Sequence, residues 1–114
     1  MLQTFSKIFK PRSNIYVNGL KMLIEYELPG VKKDDISIDC NESHLILKAK
    51  KRPTHEKSSE LTQVRSERTF GNFERIFELP EEADLQNIDA RLSDGVLSVT
   101  IPRKPSLKRQ VVIN

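Results

Sequence analysis

The 114-residue sequence contains one cysteine and no tryptophan. Because Cys40 has no second cysteine to pair with, no intramolecular disulfide can form, and a reducing compartment is the natural expectation. No apolar run approaches the ~20 residues that a membrane-spanning helix requires. The apolar cluster near the N-terminus is interrupted by lysines and lacks a small-residue cleavage site, which argues against a secretory signal. These absences predict a cytoplasmic protein with no membrane span.

Signs of catalysis and of cofactor binding are also missing. The sequence has no Gly-x-Ser-x-Gly elbow and no glycine-rich phosphate loop. His44 and His55 have no cysteine or histidine companions at metal-ligand spacing. The net charge is +3, and cationic and acidic residues are interspersed, which is typical of a mixed-charge surface rather than a nucleic-acid footprint. We therefore predict no enzymatic activity, no cofactor or metal, and no nucleic-acid partner.

Most of the sequence consists of short segments in which apolar and polar residues alternate, the period of half-buried β-strands. The clearest alternation flanks Asp94-Gly95, a dipeptide that favours a tight hairpin turn because glycine adopts positive φ without steric cost. The same period recurs over residues 36–40, 45–50 and 73–79. Seven to nine short strands result, and an immunoglobulin-like antiparallel β-sandwich is the simplest all-β architecture for them.

Two local features of this pattern give specific predictions. Asn18-Gly19 predicts a type I′ turn, after which Leu20 is the first residue on the buried face of the next strand. Cys40 closes a predicted strand, and we expect it to be half-buried, as free cysteines often are.

Three segments resemble the α-crystallin domain of small heat-shock proteins. Residues 27–36 (ELPGVKKDDI) are similar to the family's D-L-P-G-V-K-K-E-D-I segment, and residues 67–80 (ERTFGNFERIFELP) to its E-R-S-x-G-x-F-x-R-x-F-x-L-P segment. Residues 90–97 (ARLSDGVL) resemble the A-x-x-x-G-V-L signature, with one residue more between alanine and glycine. The three matches occur in the family's order and together span most of the chain.

The resemblance implies an α-crystallin domain over residues 13–103, preceded by a short N-terminal arm (1–12) and followed by a C-terminal extension (104–114). It also implies an ATP-independent holdase chaperone, which binds partly unfolded proteins and prevents their aggregation under stress. The alternative is a co-chaperone scaffold of the related CS (p23-like) sandwich, which holds no clients by itself.

The N-terminal arm carries an apolar stripe at three- and four-residue intervals, formed by Leu2, Phe5, Ile8 and Phe9. This spacing is compatible with one face of a short helix that ends at Pro11. Two interpretations stay open: a disordered terminus that packs on the sandwich, or exposed side chains that contact unfolded clients or sister subunits. The resemblance favours the second, because the family's arms do both.

A polar segment over residues 52–66 interrupts the strand pattern, and a long irregular segment in a compact domain is often functional. In bacterial, plant and archaeal members of the family this region carries a strand that swaps into the partner subunit. The resemblance therefore makes residues 61–64, with Leu61 and Val64, the candidate swapped strand of a homodimer. The alternative is a flexible loop.

Arg75 shares its predicted strand phase with Phe73 and Phe77. A guanidinium in an aromatic phase needs a carboxylate and further acceptors, or an edge position from which it reaches water. By resemblance Arg75 matches the arginine at the family's dimer interface, with Glu56 or Glu60 of the other subunit as candidate partners.

Val111 and Ile113 project to the same side of an extended C-terminal segment. The resemblance implies that this V-x-I motif docks in an apolar groove between two strands by strand addition, and so carries assembly beyond the homodimer. Six residues would line the groove: Ile36, Ile38, Cys40, Ile88, Ala90 and Leu92. The alternative is a frayed hydrophobic end.

Overall fold

The computed structural model of the protein describes residues 9–55, 60–105 and 111–114. Within these ranges the chain forms seven strands, all antiparallel to their neighbours: β1 (Ser13–Val17), β2 (Lys21–Glu27), β3 (Ile36–Cys40), β4 (His44–Lys51), β5 (Gly71–Glu78), β6 (Asp89–Ser93) and β7 (Val96–Pro102). They make a four-stranded sheet of order β1-β2-β7-β6 and a three-stranded sheet of order β3-β4-β5. Two short 3₁₀ helices, Lys33–Asp35 and Leu85–Asn87, lie in the connections. The predicted all-β antiparallel architecture is confirmed.

The core lies between the two sheets and is built from the alternating apolar positions of the central strands. In β4 and β7 every second side chain is buried, which confirms the strand phase expected from the sequence. The buried apolar residues of these two strands are 4% exposed or less: Leu45, Leu47, Ala49, Leu97, Val99 and Ile101. Burying one large aliphatic side chain contributes about 1.5–3 kcal/mol, so these two strands supply much of the stability of the fold.

The hairpin between β6 and β7 has the predicted geometry. Ser93 pairs with Val96 across a two-residue turn, in which Asp94 and Gly95 have φ values of 52° and 76°. Positive φ at both central residues is the type I′ conformation, whose twist matches that of the two strands.

The hairpin between β1 and β2 differs from the prediction. The type I′ assignment is wrong, because Gly19 does not have positive φ, and Val17 pairs with Met22 across a four-residue loop. The Asn18 Oδ1 atom instead accepts hydrogen bonds from the backbone N–H groups of Leu20 (2.8 Å) and Lys21 (2.9 Å). This side-chain turn leaves Leu20 outside the strand and 77% exposed, so its predicted burial is also wrong.

The relative position of the sheets follows from aromatic contacts. The Tyr26 ring on β2 lies 5.4 Å from that of Phe73 and 6.1 Å from that of Phe77, centroid to centroid, and both phenylalanines belong to β5. Edge strand β5 therefore packs on the β1–β2 side of the larger sheet. Since β3 is the opposite edge of the smaller sheet, it lies on the β7–β6 side.

Candidate functional site

The described part of the chain presents sheet edges and exposed apolar segments. No group of three or more histidine, cysteine or acidic residues able to hold a metal ion occurs among the described residues. Their helices are all too short and too polar to cross a membrane. The candidate site is therefore a set of interaction surfaces that extends from the arm to the tail.

The described end of the arm is anchored in the core. Phe9 is only 5% exposed, and its ring packs edge-on against Phe73 at 6.2 Å. The Lys51 ammonium lies 5.4 Å from the centre of the same ring. Client contact through Phe9 would thus require the arm to leave the sandwich. The other three predicted client-binding residues, Leu2, Phe5 and Ile8, lie outside the described residues.

Lys51 is a residue that the sequence reasoning missed. It is 9% exposed and occupies the inward phase of β4, continuing the series of buried positions in that strand. The strand phase alone was the available signal, because position 51 follows positions 45, 47 and 49 at intervals of two. Its contact with Phe9 is a cation–π interaction, which compensates part of the cost of burying an ammonium group.

Strand β1 presents an unpaired edge rich in apolar side chains. All five of its residues are exposed, and it is hydrogen-bonded to β2 on one side only. Ile15 is 49% exposed, Tyr16 52% and Val17 68%. An exposed apolar edge strand is a template for pairing with another chain. The sequence reasoning missed this exposure, because it depends on where the smaller sheet ends.

Arg75 lies on β5, the edge strand beside β1, and is exposed in this protomer. The central carbon of its guanidinium sits 5.5 Å from the centre of the Phe77 ring. Within residues 9–55, 60–105 and 111–114 it forms no ion pair. Burial raises the pKa of the nearby Tyr26 hydroxyl, while a side-chain hydrogen bond with Ser13 and the positive charge of Arg75 act in the opposite direction.

The candidate swapped segment is not a strand within the protomer. Residues 60–69 have no regular secondary structure, and Leu61 and Val64 are 67% and 97% exposed. Glu60 is also exposed, whereas Glu56 lies outside the described residues. The structure thus places an apolar segment in an exposed position.

Five of the six candidate groove residues fall on two edge strands of opposite sheets, β3 and β6, and Ile88 directly precedes β6. Ile36, Ile38, Ile88 and Leu92 are partly buried against the core. Cys40 and Ala90 are exposed instead. The predicted half-burial of Cys40 is therefore wrong: it ends an edge strand, and only one side of its backbone has a neighbouring strand.

The tail motif is exposed in the protomer. Val111 is 77% exposed, Val112 79% and Ile113 94%. These three apolar residues are not held against the sandwich of their own chain. The structure therefore leaves three apolar segments uncovered: the β1 edge, residues 61–64 and residues 111–113.

Comparison with known proteins gives consistent matches. The model of the Hsp20/alpha crystallin family matches residues 14–114. The small heat shock protein C4 of Rickettsia felis is 34% identical over 107 residues, which cover 94% of this chain and 65% of that protein. The 17.7 kDa class II heat shock protein of Arabidopsis thaliana is 41% identical over 80 residues, which cover 69% of this chain and 51% of that protein. The chain thus spans between half and two thirds of the length of these relatives.

Solved structures show the same architecture. Heat shock protein 16.0 from Schizosaccharomyces pombe superposes with a TM-score of 0.77 at 31% identity, covering 93% of this chain and 99% of that one. A small heat-shock protein from Xylella fastidiosa, described as having a distinct high order structure, gives a TM-score of 0.78 at 32% identity, covering 93% and 97% of the two chains.

Proposed function

Because the chain belongs to the Hsp20/alpha-crystallin family, we propose that it is an ATP-independent chaperone that holds partly unfolded proteins and prevents their aggregation under stress. The observation that carries this proposal is the set of three uncovered apolar segments around a well-filled core. Exposed apolar surface on a folded domain marks an interaction site, and partly unfolded chains expose the complementary apolar surface. Holding such chains requires no bond to be made or broken, so the activity is not enzymatic.

A homodimer is the first assembly that the edges support. In this proposal residues 61–64 of one subunit add as a strand to the β1 edge of the other, which covers Leu61 and Val64 as well as Ile15 and Val17. Arg75 lies on the neighbouring edge strand, where a carboxylate from the partner, with Glu56 or Glu60 as candidates, would neutralise it. Dimer formation thus pairs the β1 edge that the isolated protomer leaves open.

Further assembly uses the tail. Val111 and Ile113 dock in the groove between β3 and β6 of a neighbouring subunit, where the partly buried isoleucines and Leu92 receive them. A short contact of this kind is weak enough to exchange, so heating shifts the population towards forms with exposed grooves. Clients then bind the apolar surfaces that the resting assembly masks. These are the groove, the dimer edge and the client-binding residues of the arm, Leu2, Phe5, Ile8 and Phe9.

The proposal is tested by light scattering of a heat-labile client without ATP. We expect the full chain to suppress scattering at equimolar ratio. We also expect Val111→Ala with Ile113→Ala to change both assembly size and suppression. Val112→Ala is the matched control, because residue 112 projects to the opposite side of an extended segment. A lack of suppression by the full chain at any ratio up to tenfold excess would refute holdase activity and favour the co-chaperone scaffold.

Three further parts of the hypothesis stay predictions. They are a cytoplasmic location, the absence of a nucleic-acid partner and the absence of a cofactor. A nucleic-acid binder would show steeply salt-dependent affinity for DNA or RNA, which we do not expect here.

A further inference from the structure

The groove between β3 and β6 has two distinguishable ends. At the first end, the Leu79 N–H donates to the Ser43 carbonyl (2.8 Å) and the Asp84 N–H donates to the Pro102 carbonyl (2.8 Å). The segment 79–84 therefore crosses this end of the sandwich from the β3–β4 turn to the end of β7. The last residue of β3, Cys40, and the first residue of β6 lie at this end.

At the second end β3 begins and β6 ends. The Leu28 N–H donates to the Gly95 carbonyl (2.7 Å), so the β6–β7 turn lies beside the chain that leaves β2. That chain continues through the first 3₁₀ helix into β3. Ile36, the first residue of β3, lies at this end. Leu92, near the end of β6, lies there as well. The two walls of the groove thus run in opposite directions.

The first end is acidic. Asp39 and Glu42 lie on the β3 side and form no ion pair with any described residue. Asp89 lies on the β6 side and contacts Arg91 at 3.0 Å, with both side chains largely exposed. Two cations follow β7 at this end. Arg103 lines a pocket on the β1–β2 side of the sheet. The backbone N–H of Lys104 donates to the Glu82 carbonyl (2.6 Å). The crossing segment adds the three carboxylates of Glu81, Glu82 and Asp84. The groove end therefore keeps an excess of negative charge.

The second end has no excess of negative charge. The connection into β3 carries Lys32 and Lys33 as well as Asp34 and Asp35, and Asp94 lies in the β6–β7 turn. Arg52 follows β4, and the Arg68 guanidinium lies beside Gly30. Arg52 pairs with Asp35 at 3.2 Å. A cationic ligand therefore gains more at the Asp39 end than at the Ile36 end.

The tail is as asymmetric as the groove. Lys108 and Arg109 precede the V-x-I motif, with Gln110 between Arg109 and Val111. Residues 110–114 carry no charged side chain. Val111 and Ile113 are similar in shape, so apolar contacts alone discriminate weakly between the two directions of docking. The charged pair breaks this near-symmetry.

We propose that the tail of a neighbouring subunit docks with Lys108 and Arg109 at the Asp39–Asp89 end of the groove and Ile113 at the Ile36–Leu92 end. The docked segment then runs antiparallel to β3 and parallel to β6. This inference rests on the proposed docking of the tail and adds its direction. An exposed ion pair changes an equilibrium constant by a factor of about 1.4 to 5, so two such pairs give a preference of about fivefold.

Cys40 provides the probe, because it is the only cysteine and lies at the acidic end of the groove. Gln110→Cys and Asn114→Cys place a thiol at equal distances on either side of Val112, the centre of the motif. Each full-length variant is incubated with oxidised glutathione, which oxidises the two thiols to one disulfide. Intersubunit cross-linking is followed on non-reducing gels, and the bond is located by peptide mass analysis. Cys40→Ser in each background is the control for cross-links that do not involve the groove.

We expect Gln110→Cys to cross-link to Cys40 about fivefold faster than Asn114→Cys. Faster cross-linking of Asn114→Cys, or equal rates, would overturn the direction while leaving tail docking intact. An absence of Cys40 cross-links in both variants would refute docking itself, and with it this part of the proposed function.

Charge reversal tests the cause of the direction. Asp39→Lys with Glu42→Lys should abolish the preference for Gln110→Cys, and Lys108→Glu with Arg109→Glu in the same chain should restore it. The preference should also fall in 1 M NaCl, where the screening length is about 3 Å. A preference that is unchanged by charge reversal would show that electrostatics does not set the direction.

Discussion

Ile15 and Ile24 face each other across the first hairpin, and their environments differ completely. They are direct register partners on β1 and β2 and share one face of the sheet. Ile24 is 1% exposed, whereas Ile15 is 49% exposed. The smaller sheet covers β2 and ends before β1, so the larger sheet overhangs it by one strand. The comparison separates two uses of the same residue type: stability where the sheets overlap, and association where one sheet extends past the other.

The largest expected effect tests the covered member of the pair. Ile24→Ala should lower the free energy of unfolding by about 2–5 kcal/mol, since it leaves a cavity between the sheets. Ile15→Ala should cost less than about 1 kcal/mol, and its cost should grow with protein concentration as the proposed dimer forms. Urea denaturation at two concentrations measures both. If both variants lost the same free energy of unfolding at both protein concentrations, β1 would have no part in association.

The second prediction concerns Arg75, which is exposed on the edge strand β5. Arg75→Ala should weaken dimerisation by about 2 kcal/mol, or about thirtyfold in Kd, because the partner's carboxylate loses its counter-charge at the interface. The unfolding midpoint of the protomer should change little. Arg91→Ala, on the far edge strand β6, is the control. Sedimentation velocity over a dilution series gives the dissociation constants, and similar values for both variants would place Arg75 outside the interface.

The third prediction compares the glycines of the two hairpins. Gly95→Ala should destabilise the fold by about 1–2 kcal/mol, because alanine is disfavoured at positive φ and its Cβ would lie 3.4 Å from the Pro29 Cα atom. Gly19→Ala should leave stability within about 0.5 kcal/mol, since no atom lies within 4 Å of the added Cβ. Thermal unfolding of the two variants checks the difference. Equal midpoints would contradict the turn assignments.

The smallest effect is expected at the overhanging hairpin. Asn18→Ala removes the acceptor of two backbone hydrogen bonds, and we expect a loss of about 0.5–1 kcal/mol. For a domain of this size such a loss lowers the melting temperature by a few degrees, about 4–8 °C per kcal/mol. Calorimetry resolves this change. A melting temperature equal to that of the unaltered chain would mean that water replaces the side-chain oxygen at no cost.

The strand phase within the core was predictable from the sequence, because alternation is a local signal. Leu97, Val99 and Ile101 must share one face of any strand they form, and the central strands bury that face. The Asp94-Gly95 turn was predictable for the same reason, since its conformation depends on two residues.

The wrong burial predictions for Leu20 and Cys40 share a cause. Tertiary structure, rather than local sequence, determines which strand positions are covered. Leu20 has the right phase for burial but lies in a loop that Asn18 closes with its side chain. Cys40 has the same phase as two partly buried isoleucines but stands at the end of an edge strand. Whether a phase is buried depends on how far the opposite sheet extends, and no window of neighbouring residues contains that information.

The candidate interaction surfaces were predictable in part. The resemblance identified the tail motif and Arg75, and both are exposed in the protomer. Their roles stay predictions. The exposure of β1 and the burial of Lys51 were missed. The first depends on how far the smaller sheet extends, and the second on where the Phe9 ring of the arm packs.

The anchoring of Phe9 has a consequence for how the two extensions operate together. Phe9 is held at the Lys51 end of β4, whereas the tail leaves the domain after Arg103, at the end where β4 begins. Seven residues of strand, about 23 Å, separate these points. The arm is therefore anchored at one pole of the sandwich, and the tail of the same chain leaves from the other. The free-energy effects of substitutions at Phe9 and at Val111 should accordingly be additive, because the arm and the tail are attached at distant points of the domain.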